Sequence, residues 1–75
     1  MTTLDVMFRY GVPPDEPQMR ALDGVREVYG VRRLVFDEQR RTIRVEFDAS
    51  RLSADSIAAL LRGAGVDLRE RVALV

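Results

Sequence analysis

Seventy-five residues suffice for one domain, and a chain this short buries only about 60% of the surface its unfolded form exposes. With no Cys and no His, it is excluded from disulfide staples, thiolate zinc or copper(I) sites, cysteine nucleophiles and imidazole bases. Twelve Arg balance twelve Asp and Glu, so no net field draws the chain to nucleic acid or an anionic membrane, while a 47% hydrophobic content is that of a folded domain.

Residues Thr3 to Arg9 alternate, placing Leu4, Val6 and Phe8 on one side and Asp5, Met7 and Arg9 on the other, the period of a half-buried strand. The run Gly11-Val12-Pro13-Pro14 breaks it. Asp15, with Gln18 three residues on, makes the capping-box pattern that opens a helix, and Pro17 fits its first turn because no hydrogen bond is lost there. Ala21, Val25 and Val28, widened by Leu22 and Tyr29, predict the buried stripe of that helix. Gly24 within it predicts a close approach to the sheet, and Gly30 predicts its end.

Val31 to Phe36 form a second strand, with Leu34 and Phe36 on one face. Asp37-Glu38-Gln39-Arg40-Arg41 is the polar connection of a hairpin. In the third strand Ile43, Val45 and Phe47 alternate with Thr42, Arg44 and Glu46, as expected of a central strand. Ser53 is the expected N-cap of a second helix whose stripe is Ile57, Leu60, Leu61 and Ala64, with Asp55 at the positive end of its dipole and Gly63 or Gly65 stopping it. Val66 to Val75 complete the chain as a fourth strand, and Glu70, in the phase of Leu68, Val72 and Leu74, signals a bulge.

The order strand, helix, strand, strand, helix, strand defines one α+β domain over residues 1–75. It is a ferredoxin-like split βαβ fold with a four-stranded antiparallel sheet, spatial order four, one, three, two, and both helices on one face. No apolar run reaches the roughly 20 residues of a membrane span, and the N-terminal residues lack the pattern of a signal peptide, so a cytoplasmic location without membrane association is expected.

The stretch from Gly30-Val31 through Leu34, Phe36 and Asp37, then Ile43, Val45, Phe47 and Asp48, resembles the second half of a heavy-metal-associated domain. Ser53 to Gly65, closing on Ala64-Gly65-Val66, resembles that family's second helix, with Val in place of its terminal aromatic. The resemblance puts the family's metal loop, Gly-Met-x-Cys-x-x-Cys, on Gly11 to Pro17, where Pro14 and Pro17 stand at both cysteine positions. It implies a metal-carrier fold whose thiolate site is gone, leaving the degenerate loop Pro14, Asp15, Glu16 and Pro17. Asp15 and Glu16 are hard oxygen donors, and two carboxylates fall short of the ligands calcium takes. Met7 and Met19 offer thioethers, a type of side chain that more often serves packing.

An acylphosphatase-type site needs an Asn beside an Arg, and the chain has no Asn. Base stacking on the open sheet needs aromatics, and the outward positions supply Asp5, Met7, Arg9, Thr42, Arg44 and Glu46 instead. The expectation is a non-enzymatic interaction module with no cofactor, the alternative being a weak metal-binding accessory domain using oxygen or thioether ligands. Its candidate interaction surface is Arg9, Arg33, Arg44, Arg69 and Arg71. A protein partner is expected, and the uncharged end of the edge strand, Val72, Ala73, Leu74 and Val75, is a candidate homodimer edge.

Overall fold

The computed structural model describes residues 2–74. Its elements run β1 (Thr3–Tyr10), α1 (Glu16–Arg26), β2 (Val31–Asp37), β3 (Thr42–Asp48), α2 (Ala54–Gly63) and β4 (Leu68–Val72). The antiparallel sheet has the order β2-β3-β1-β4, so β3 and β1 are central, and β2 and β4 are the edges. This is the ferredoxin-like arrangement expected from the element order.

Alternation decides which side chains reach the core. Val6, Phe8 and Tyr10 of β1 and Ile43, Val45 and Phe47 of β3 are buried, joined by Leu34 of β2, Leu22 and Val25 of α1, and Ile57, Ala58 and Leu61 of α2. Strand β1 runs one residue further than its sequence pattern indicated. Tyr10 belongs to the core, its ring edge-on to Phe36 at 5.7 Å. Leu4 departs from expectation and is 51% exposed. β4 pairs with β1 only between Met7 and Tyr10, so among the described residues no strand pairs with the start of β1 on that side.

Helix α1 opens as the sequence indicates. The Asp15 carboxylate accepts from Gln18 N–H at 2.9 Å, while the Gln18 side chain accepts from Asp15 N–H at 3.0 Å. The buried stripe is narrower than expected: Leu22 and Val25 carry it, Ala21 is exposed, and Val28 is half-buried. Tyr29 is 72% exposed because α1 ends at Arg26 rather than at Gly30. Beyond the helix its ring lies under the Arg51 guanidinium at 4.3 Å. Gly24 makes no close approach either, since a Cβ there would meet nothing within 4 Å.

Helix α2 begins at Ser53, whose hydroxyl accepts from Ser56 N–H at 3.1 Å. It ends in a Schellman motif, with Val66 N–H donating to Leu61 O at 3.1 Å and Gly65 N–H to Arg62 O at 3.0 Å. Gly65 takes φ +95°, which glycine adopts without strain. The expected bulge lies in β4, where Leu68 to Arg71 spans one residue more than Tyr10 to Phe8 opposite it. A second bulge puts an extra residue of β2 between Val31 and Arg33.

Candidate functional site

The segment between β1 and α1 is tied down by groups distant in sequence. Gly11 N–H donates to the Asp67 carbonyl at 2.9 Å, and Val12 N–H to the Asp67 carboxylate at 2.9 Å. Arg41 donates from Nη1 to the Gly11 carbonyl at 3.1 Å. A Cβ on Gly11 would lie 2.4 Å from the Asp67 carboxylate and 2.5 Å from the Arg69 guanidinium, so a side chain there would displace the ends of these two flexible side chains. The Val12 N–H, and after it the Arg69 guanidinium, holds the Asp67 carboxyl below its ordinary pKa.

Pro14, Asp15, Glu16 and Pro17 follow. Asp15 caps α1, the Glu16 carboxylate accepts from Arg20 at 3.2 Å one helical turn away, and Pro17 sits in the first turn, where no amide donor is needed. Among the described residues no group of three or more Asp, Glu, His or Cys stands close enough to hold a metal ion. The two thioethers are not brought together, since Met7 lies in the outward phase of β1 and Met19 on α1 across the sheet.

The sheet face away from the helices carries the second set of candidates. Arg44 donates to Asp5 across the β3–β1 pair, and Arg33 stands opposite Glu46 across the β2–β3 pair. Together with Val35 these four residues line an open depression of 290 Å³. The five candidate arginines do not form one surface. Arg9, Arg33 and Arg44 share the outer face, with Arg9 bonded to Glu70 at 3.2 Å. Arg69 turns to the end of the sheet, bonding Asp67 at 2.9 Å. Arg71 stands opposite Phe8, in the phase of the core, because the bulge reverses the alternation of β4.

β4 ends at Val72, opposite Met7, so Ala73 and Leu74 lie beyond the strand, and Val75 is outside the described residues. Leu74 lines a depression of 280 Å³ with Met7, Val35, Thr42 and Arg44. Leu74 therefore lies on the outer face of its own sheet.

Of three residues with structural authority at these sites, Asp67 and Arg41 carry no sequence signal and Asp48 only that of the resemblance. Asp67 holds a loop 55 positions away. Arg41 adopts φ 54°, where Gly or Asn is usual, and its carbonyl accepts from Tyr10 N–H at 2.9 Å. Buried Asp48 organises the turn into α2 by accepting from the Ser50 hydroxyl at 2.6 Å and the Ser50 N–H at 3.0 Å. The sequence also hid an apolar groove of 630 Å³ between the helices, floored by Val25 and Leu60 and flanked by Gly24 and Gly63.

No helix among the described residues is long and apolar enough to cross a membrane. No protein-family model matches the chain, and no curated protein does. Among solved structures, the crystal structure of oxidized MerP from Ralstonia metallidurans CH34 is similar, with a TM-score of 0.72 at 19% identity over 91% of this chain and 96% of that one. The likeness is one of fold, the βαββαβ arrangement described above.

Proposed function

We propose that the protein is a small non-enzymatic interaction module, built on a heavy-metal-associated-like fold that has lost its thiolate site, and that it binds a protein partner through the outer face of its sheet. The carrying observation is how the candidate loop is used. Asp15 and Glu16 are engaged by the cap and by Arg20, and the Gly11 and Val12 amides are closed onto Asp67. These contacts give the loop's carboxylates and amides partners within the protein, which supports this reading over the weak metal-binding alternative. The outer face offers Asp5, Arg33, Val35, Arg44 and Glu46 around an open depression, with both charge signs available for complementary pairing.

Two measurements test this reading. In competition against a chromophoric chelator, copper(I) and zinc are expected to bind no better than to a Cys-free, His-free control of similar charge, and sub-micromolar affinity at neutral pH would reverse the conclusion. Capture of a specific partner from the native host is expected with the wild type and lost with Arg44→Glu. Retention by that folded variant would remove the outer face as the binding surface.

A further inference from the structure

We propose that the depression at the end of the sheet beside the Gly11 loop binds a small phosphate-bearing anion. It has a volume of 440 Å³, and its lining residues include Arg9, Arg40, Arg41 and Arg69 with Tyr10 and Glu70. These arginines come from three separate segments, the end of β1, the β2–β3 hairpin and the start of β4, so only the tertiary fold assembles them.

Each guanidinium is held at one identified nitrogen. Arg9 Nε meets Glu70 at 3.2 Å, Arg69 Nη2 meets Asp67 at 2.9 Å, Arg40 Nε lies 4.0 Å from Asp37, and Arg41 Nη1 donates to the Gly11 carbonyl at 3.1 Å. A guanidinium carries five N–H donors, so these contacts orient the groups without exhausting them. Of the carboxylates, only Glu70 lines the depression, while Asp67 and Asp37 reach their arginines from outside it. Arg41 has a backbone carbonyl as its hydrogen-bond partner.

Arg41 closes the β2–β3 hairpin turn, in which a left-handed residue is ordinary. The Tyr10 N–H to Arg41 carbonyl bond and the Arg41 to Gly11 bond hold it beside the depression.

Chemistry selects the ligand. Several planar donor forks converging on one space suit the tetrahedral oxygens of phosphate, which accept from more than one arginine at once. The volume is that of a small-molecule site. A nucleic-acid strand fits less well, because Tyr10 is 2% exposed and stacked edge-on with Phe36, leaving no ring for a base, and the chain has no net charge.

Calorimetric titration of the full chain with pyrophosphate and with inorganic phosphate, at about 50 mM salt, tests the site. Saturable pyrophosphate binding is expected with Kd below about 1 mM. Arg41→Gln and Arg69→Gln should each weaken it about tenfold, as loss of a charged hydrogen bond does. Arg41→Lys, which keeps the charge but not the fork, should also weaken it, and Arg62→Gln in the last turn of α2 should leave it unchanged. Circular dichroism confirms that each variant is folded. Absence of saturation by about 10 mM pyrophosphate at that salt, equal weakening by Arg62→Gln, or tighter binding of a short DNA duplex with a steep salt dependence would overturn the proposal.

Discussion

Asp48 shows how a single buried carboxylate can organise a chain reversal. The Ser50 hydroxyl, then the Ser50 N–H, and more weakly Arg32 and Arg51, hold its pKa below the ordinary 3.8. A carboxyl depressed in the folded state contributes stability that is complete above its unfolded pKa and is lost as pH falls through the folded value. Ser50→Ala removes the largest cause, so the acid unfolding midpoint is expected to move to higher pH, with stability at neutral pH reduced. An acid titration followed by circular dichroism checks this, and an unchanged midpoint would show that the Ser50 hydroxyl does not govern Asp48. The importance of Asp15 and Ser53 was legible in the sequence because capping is local, three residues from donor to acceptor. Asp48 was legible only as part of a resemblance, and Asp67 not at all, since its partner Val12 is 55 residues away.

At the scale of elements, the glycines divide according to what surrounds them. Gly24 lies within α1 with open space where a Cβ would go, so Gly24→Ala is expected to raise stability by about 0.5–1 kcal/mol in urea unfolding, the helix-propensity difference between the two residues. Gly65→Ala should act in the opposite direction, because φ is +95° and the added carbon would stand 3.1 Å from Gln18. Loss of stability in the Gly24 variant would mean that the groove between the helices is narrower in solution. Strand phase was readable in β1 and β3, where one face is buried. It was misread in β4, where the bulge changes the side to which Arg71 points.

At the scale of the whole molecule, the question is whether the uncharged end of the chain pairs with a second copy. Val72 to Val75 could pair with a second β4 edge, but Leu74 lies in the depression lined by Met7, Val35 and Arg44, and the strand stops at Val72. The edge that remains is Arg69-Glu70-Arg71, whose charges discourage pairing with another sheet. Light scattering coupled to size exclusion is therefore expected to report a monomer at tens of micromolar. A dimer that becomes a folded monomer when the chain ends at Arg71 would instead place the tail in an intermolecular edge.

The element order, the sheet order, both helix caps and the central core strands followed from the sequence, because hydrophobic period, capping and turn chemistry act over a few residues. The absence of thiolate and imidazole ligands was likewise a matter of composition. Only the tertiary structure decided which arginines share a surface, that Tyr10 joins the core while Leu4 and Tyr29 do not, and that Asp67 and Arg41 close the Gly11 loop. Those outcomes depend on strand register, on bulges and on contacts between distant segments, and one residue of slip in register exchanges the two faces of a strand.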